Sequence, residues 1–309
     1  MTNSKQEVLL AVDGGGTKTV VWVADLEGKI LGKGKSGPMS LAATSAEIAI
    51  QNLFEALHEA LPDHSQISIK KAVIGAAGVD TDDEIKVATK VFHDALKKEY
   101  DIEELVLVND IRIALESGAT SPNAIALISG TGSNCFGKNE KGETAKAGGM
   151  DFLLSDQGSG YDIGQKVLRA VIKAYDGRGP STVMEELICQ HFHISDLGKL
   201  KDHVYHPILN KTQIGQLAKI CFEALERQDT VANEIINGAI EELVLMISAV
   251  VRKLNLMHTH ADVVLVGGIA TDPYMKKQLE KRLNSRFSKL KLIVPEEPAV
   301  SGALKMALS

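Results

Sequence analysis

Apolar residues cluster over residues 7–12 and 20–25, two β-rich runs separated by a short glycine-rich stretch. A third strand-like run, 30–35, follows, then a segment with helical spacing over 46–61 that carries Ile48, Phe54, Leu57 and Leu61. Next come an apolar strand at 71–74, a helix over 81–98 opened by Asp82, Asp83 and Glu84, and a strand at 105–108. The same order then recurs. Strand-like runs at 124–129, 135–137 and 144–147 precede helical segments, with later strands at 262–266 and 290–294. The second copy is the larger, swollen by helices that include 160–175, with Ile163, Val167, Ala170, Val171 and Ala174 on one face, and the long apolar segment 230–256. That segment lacks sustained heptads, so it reads as the spine of a lobe and not as a coiled coil. The pattern predicts an α/β chain of duplicated βββαβαβα units. The lobes are expected at 1–118 and 119–309, with the boundary in Glu116-Ser117-Gly118-Ala119-Thr120-Ser121-Pro122 and a final helix at about 298–309, after Pro298.

Each copy opens with a glycine turn between two strands: Asp13-Gly14-Gly15-Gly16-Thr17-Lys18-Thr19 in the first and Gly130-Thr131-Gly132-Ser133-Asn134 in the second. Glycines let a backbone approach an anion and aim its N–H groups at phosphate oxygens. Asp13, at the end of a strand, is placed to hold a magnesium ion directly or through water. A glycine-rich hairpin without a ligand is the alternative for either turn taken alone. Two such lobes facing across a cleft would grip the two ends of a triphosphate.

Composition narrows the partners. The chain has 309 residues, 44% hydrophobic, enough for two domains with cores. A net charge of −6, with no basic run, argues against nucleic acid. No apolar stretch is long enough to span a bilayer, and the polar N-terminal residues do not read as a secretory signal. Cys135, Cys189 and Cys221 are odd in number and far apart, as suits buried packing residues in a reduced cytoplasmic setting.

Five stretches in order carry a resemblance: the residue 13–19 turn, Val108-Asn109-Asp110, the residue 129–134 turn, Val266-Gly267-Gly268-Ile269-Ala270, and the small-residue segment 299–307. Together they resemble the actin, Hsp70 and sugar-kinase superfamily. Gly-Gly-Gly-Thr-Lys-Thr, Ser-Gly-Thr-Gly-Ser-Asn and Asp156-Gln157-Gly158-Ser159-Gly160 look like the N-acetylglucosamine kinase branch of the BadF/BadG/BcrA/BcrD-type ATPases. The resemblance implies a two-lobed, ribonuclease H-like fold with ATP and Mg²⁺ in the interlobe cleft and the final helix packing back toward the first lobe. It also implies an amino sugar as substrate, phosphorylated at its 6-hydroxyl, and allows a homodimer.

By the same resemblance Asp110 is the general base, although an aspartate there could instead cap a helix. Thr17, Gly15, Gly16, Lys18, Thr131 and Gly132 would meet phosphates; Gly267 and Gly268 would pass close to the adenosine. Ser133, Asn134, Gly149 and Asp156 would line the sugar pocket, Asp156 accepting from two hydroxyls. The chain departs from its relatives at Gln157, at Met150-Asp151, where animal enzymes have Trp-Gly, and at Ala76 or Ala77, where they place a serine. N-acetylglucosamine, glucosamine and N-acetylmuramic acid all stay open.

Two other patterns compete. Gly32-Lys33-Gly34-Lys35-Ser36-Gly37 fits a dinucleotide fingerprint but lacks the βαβ context. Cys189, His191, His193, His203 and His206 could suggest a metal, yet not at zinc spacing. A different function, an ATPase driving a radical dehydratase or reductase, would need clustered thiolates, and no cysteine pair is visible.

Overall fold

The computed structural model describes residues 5–41, 44–61 and 67–309. The chain divides into two compact units, residues 1–120 with 295–309, and residues 121–294. Among the described residues each holds a five-stranded sheet.

In the first unit the elements are β1 (Gln6–Gly14), β2 (Thr19–Ala24), β3 (Ile30–Ser36), α1 (Ala46–Ala60), β4 (Ile67–Ala76), α2 (Asp82–Leu96), β5 (Asp101–Asn109) and α3 (Asp110–Gly118). The sheet order is β3-β2-β1-β4-β5, antiparallel through the β1–β2–β3 meander and parallel from β1 to β4 and β5. β1 lies at the centre and is apolar on both faces. Val8, Leu10 and Val12 join the core under α1 and α2, while Leu9 and Ala11 join a second core with the C-terminal helix (Val300–Leu308). Both faces being covered, the run reads as continuous rather than alternating. α2 is fixed at its start by a capping box, Thr81 Oγ1 accepting from Glu84 N–H and Glu84 Oε2 from Thr81 N–H.

α1 turns Leu57 into the core, with Phe54 and Leu61 packed against it. Ile48 is exposed, and the inward stripe is Ala49, Asn52, Leu53, Ala56, Leu57 and Ala60. The reason lies in β3. A Cβ on Gly32 would fall 1.6 Å from the Ala60 carbonyl oxygen, and one on Gly34 would fall 1.9 Å from that of Ala56. Backbone meets backbone here, so the small residues of α1 face the sheet. The glycines of the apparent dinucleotide fingerprint are therefore packing glycines; at Gly37 a Cβ would meet the Asn52 side chain. Gly34→Ala is expected to cost about 1–3 kcal/mol, because neither backbone can yield. A urea midpoint equal to that of the parent would contradict this contact.

The C-terminal helix crosses α3 just as closely. A Cβ on Gly302 would lie 1.9 Å from the Ile113 carbonyl oxygen, and Lys305 Nζ donates to the carbonyls of Glu116 and Ser117 at the end of α3.

The second unit repeats the design. β6 (Ala124–Ser129), β7 (Ser133–Lys138) and β8 (Thr144–Gly148) form the meander. There follow α4 (Asp151–Leu154), α5 (Gly160–Tyr175), α6 (Met184–Phe192), α7 (Leu200–Tyr205), α8 (Lys211–Gln216), α9 (Ala218–Glu226) and α10 (Thr230–Lys253). Then come β9 (Ala261–Val266), α11 (Pro273–Asn284) and β10 (Leu290–Ile293). The order β8-β7-β6-β9-β10, with its antiparallel half and parallel half, matches the first sheet strand for strand. The fold is the expected duplicated βββαβαβα, actin-like α/β architecture. α10 forms the spine, burying Ile236, Ile240, Leu243, Val244, Ile247 and Val251. Among the described residues no helix is long and apolar enough to cross a membrane.

Candidate functional site

In the first unit the parallel strands end together. Asp13 pairs with Gly75, Gly14 with Ala76, and Ala76 with Asn109. Asp13 and Asp110 thus share one edge of the sheet with β4 between them, about 10 Å apart along two strand spacings. They also share a face. Asp13 alternates with Leu9 and Ala11, which point to the core that α3's Ile113 joins, and Asp110 is the first residue of α3.

Asp110 does not cap its helix. Asn109 is the cap: its Oδ1 accepts from Ile111 N–H at 3.0 Å, while its Nδ2 donates to Val79 O and Asp80 Oδ1. The capping alternative for Asp110 is set aside, leaving a half-buried carboxylate in the first helical turn.

The β1–β2 turn is tighter than three glycines suggest. Gly14 still pairs with Thr19, and Gly15 N–H donates to Lys18 O at 2.9 Å. The Gly15 amide is thus engaged inside the turn. Gly16, Thr17 and Lys18 are exposed, and a Cβ on Gly16 would meet nothing within 4 Å.

Desolvation holds the Asp13 carboxyl above the usual aspartate range, with the Lys18 charge a smaller pull downward. Among the described residues no group donates a hydrogen bond to it. The folded pKa exceeds the unfolded one, so this group's stabilising contribution is greatest in acid. It is lost as the pH rises through the window just above 3.8. Asp13→Asn is therefore expected to raise the melting temperature of EDTA-treated protein at pH 7. A lower melting temperature would contradict the desolvation account.

The second unit carries the other turn. Gly130 N–H donates to Gly132 O at 3.0 Å. The first turn of α5 ties the loop from one side, Gly160 N–H to Gly130 O at 2.7 Å and Tyr161 N–H to Thr131 O at 3.2 Å. The carbonyls face α5, and among the described residues none accepts from Thr131 or Gly132 N–H. Gly267, at φ +93°, closes over the same place: a Cβ there would lie 2.5 Å from Ser129 O, which accepts from Ile269 and Ala270 N–H.

A cavity of about 550 Å³ is bounded by Gly130, Thr131, Gly160, Gly268, Lys219 and Phe222. Its far wall comes from α8 and α9, through Thr212, Gly215 and Gln216 among others. Sequence reasoning missed this wall, since no motif marks it within the helical insertion.

Beside the turn sits Asp156, at φ +73° and 4% exposed. Its Oδ1 accepts from Ser133 N–H at 2.8 Å, and its Oδ2 lies 2.7 Å from Lys211 Nζ. Lys211 also reaches Asp151 Oδ1 at 2.5 Å. Burial pulls the Lys211 ammonium down, but its hydrogen bonds to Asp151 and Asp156 prevail and raise it; the Lys211 bond in turn lowers Asp151. Oδ1 thus holds the Ser133 amide, while Oδ2 faces the Lys211 ammonium as an ion pair and is otherwise buried without a hydrogen-bond donor. A Cβ on Gly132 would sit 2.9 Å from Asp156 Oδ1, so the carboxylate packs closely beside the turn. Lys211 was not legible in the sequence, being one lysine among many.

Ser133 Oγ donates to Gln157 O, tying β7 to the loop that carries Asp156. Asn134 packs on Gly149, where a Cβ would lie 2.6 Å from Asn134 Cγ. Asn134 Oδ1 is buried without a hydrogen-bond partner, an acceptor that a bound hydroxyl would satisfy. Ser133, Asn134, Gly149 and Asp156 are therefore neighbours.

The cysteine–histidine cluster does not assemble. Among the described residues no three metal-ligating side chains come together, and His191 and His203 pack on Phe192 at centroid distances of 4.8 and 5.9 Å. Cys135 and Cys221 are buried, which pushes both thiols up, that of Cys221 to about 12.

The chain is similar to the N-acetylmuramic acid/N-acetylglucosamine kinase of Clostridium acetobutylicum, 31% identical over 306 residues, covering 97% of this chain and 98% of the relative. It is also similar to the N-acetyl-D-glucosamine kinase of Dictyostelium discoideum, 29% identical over 304 residues, with 91% and 93% covered. A solved structure from Chromobacterium violaceum, provisionally named an N-acetylglucosamine kinase, superposes with a TM-score of 0.77 at 21% identity over 99% of this chain and 100% of that one. The family model for these ATPases matches residues 10–308, nearly the full length, and the chain belongs to the BadF/BadG/BcrA/BcrD ATPase family.

Proposed function

We propose that the protein is an ATP-dependent amino-sugar kinase that transfers the γ-phosphate of ATP to the 6-hydroxyl of N-acetylglucosamine or a close relative, glucosamine or N-acetylmuramic acid. ATP use follows from the family. The observation that carries the reading is Asp110: a half-buried carboxylate at the edge it shares with Asp13, released from capping duty by Asn109.

Phosphoryl transfer asks a protein for positioning, charge neutralisation and one base. Asp110 accepts the proton of the sugar hydroxyl as its oxygen attacks the γ-phosphorus, and ADP departs. Thr131 and Gly132 offer unspent N–H groups to phosphate oxygens, as do Gly16 and Thr17, with Lys18 adding charge. Asp13 is the fitting residue for Mg²⁺, since a desolvated carboxylate with no donor of its own is relieved by a cation. Magnesium would supply charge neutralisation on the phosphates.

The cavity at Gly130 and Gly268 takes the nucleotide, its volume being of the size that small-molecule sites have. Gly267 and Gly268 separate fold from binding. Gly267→Ala meets Ser129 O and is expected to destabilise the unit. Gly268→Val meets no atom within 4 Å at its Cβ; it should keep the melting temperature and weaken ATP binding about tenfold or more, by filling the cavity. Unchanged ATP affinity in Gly268→Val would move the nucleotide elsewhere.

Asn134, with Ser133, Gly149 and Asp156, receives the sugar. The similarity to a kinase named for both N-acetylmuramic acid and N-acetylglucosamine supports the substrate class. The test is ADP release with Mg²⁺ and ATP against glucose, glucosamine, N-acetylglucosamine, N-acetylmannosamine and N-acetylmuramic acid. Release that depends on an amino sugar is expected. Release independent of any sugar would favour an ATPase serving a redox partner, a reading that the raised, buried thiols of Cys135 and Cys221 disfavour.

A further inference from the structure

The second unit contains a larger cavity, about 800 Å³, which none of the glycine-turn residues lines. α8 divides the two spaces, presenting Lys211 and Ile214 to the larger cavity and Thr212, Gly215 and Gln216 to the smaller. The walls of the larger cavity are chiefly apolar, built from Leu168, Ile172, Val204, Leu209 and Ile214. Apolar surface of this kind gains by covering, because water around it is released.

The charge at this cavity runs against the composition of the chain. Acids outnumber bases overall, 40 to 34. Yet Arg169, Lys173, Arg178, Lys201 and Lys211 line the cavity, and no aspartate or glutamate does. Arg178 is neutralised by Asp176, and Lys211 by Asp151 and Asp156. Arg169, Lys173 and Lys201 have no acidic partner among the described residues. They are exposed at the rim of an apolar interior. Such a site selects an amphiphile with one negative head group, since the head meets unpaired cations while the body is desolvated.

We propose that this cavity is a second ligand site, lined by none of the residues assigned to the nucleotide or the sugar and adjoining them through the Lys211–Asp156 pair, for a small amphipathic anion: a medium-chain or aromatic body bearing one carboxylate or sulfonate. Charge complementarity favours this occupant over a neutral or cationic one, and the concave, ligand-sized volume favours a small molecule over a protein surface.

The experiment uses the full chain with 1-anilinonaphthalene-8-sulfonate as a fluorescent probe. Decanoate, decylammonium and 1-decanol serve as competitors, all below their micellar concentrations. The expected result is saturable one-to-one probe binding, displaced by decanoate at least tenfold more effectively than by decylammonium or 1-decanol. The double variant Lys173→Glu/Lys201→Glu should weaken decanoate at least tenfold with an unchanged melting temperature. Leu209→Trp, which fills the cavity without touching charge, should weaken probe and decanoate together. Equal displacement by decanoate and decylammonium would overturn the proposal, as would non-saturating probe binding or a double variant that binds normally. Concentration-dependent dimerisation in sedimentation that excludes the probe would also overturn it, assigning the face to a second copy. Kinase activity is assayed separately, so failure here leaves the phosphotransfer reading untouched.

Discussion

Asp110→Asn is expected to lower the phosphotransfer rate by about 10²–10⁴-fold, the usual contribution of a positioned general base, while ATP binding stays within about twofold. The substitution suits the question because Asp110 does not cap its helix. The N-terminus of α3 is held by Asn109, so loss of the carboxylate should not fray the helix. Asparagine matches its shape and keeps a hydrogen-bonding oxygen. Single-turnover kinetics with saturating ATP would isolate the chemical step, and nucleotide titration would check the binding. Near-normal phosphorylation by the variant would remove Asp110 from the base role and return the choice to another acid.

Asp156→Ala is expected to raise the KM for the sugar by about 10- to 100-fold, with a smaller change for ATP. Its carboxylate accepts the Ser133 N–H from a buried position, and leaving such a donor unsatisfied costs about 1–3 kcal/mol. The loss falls on Ser133 and on the neighbouring Asn134–Gly149 contact. The phosphate turn is less exposed to it, because Gly160 and Tyr161 hold the Gly130 and Thr131 carbonyls independently. Lys211 keeps Asp151 as a partner, so no buried charge is orphaned. Lys211→Ala is the companion variant. It frees Asp156 Oδ2, and if that oxygen receives a sugar hydroxyl, sugar affinity should be retained. Equal losses for sugar and ATP in Asp156→Ala would mean that the carboxylate only props the fold.

Much of the architecture could be read along the chain, because local signals and tertiary packing agree there. The strands at 124–129 and 262–266 and the helix at 160–175 are bounded by turn residues and filled by apolar ones, and the structure places them with little or no shift. The helical spacing of α1 was legible, and Phe54, Leu57 and Leu61 reach the core, but Ile48 does not, and the alanines that meet the glycine groove of β3 carried no signal. Helix–strand approach depends on residues far apart in sequence, and a pattern of hydrophobicity does not encode it. The two glycine turns were legible for a related reason: strand, glycine and strand lie consecutively. Which amides remain free was not, because that depends on the 2.9 Å bond from Gly15 to Lys18 and on the arrival of α5 at the second turn. The larger part of the hidden site is α8 and α9. Lys211, Gln216 and Phe222 reach the cavities only after the helical insertion folds against α5, and nothing in their local sequence distinguishes them from surface or core residues.

The most direct test of the central claim is the ³¹P NMR spectrum of the reaction product formed from ATP, Mg²⁺ and N-acetylglucosamine, or whichever amino sugar releases ADP fastest. The account predicts a new phosphomonoester signal split into a triplet by the two protons on the sugar's 6-carbon, appearing in step with ADP. A signal for inorganic phosphate alone would contradict it.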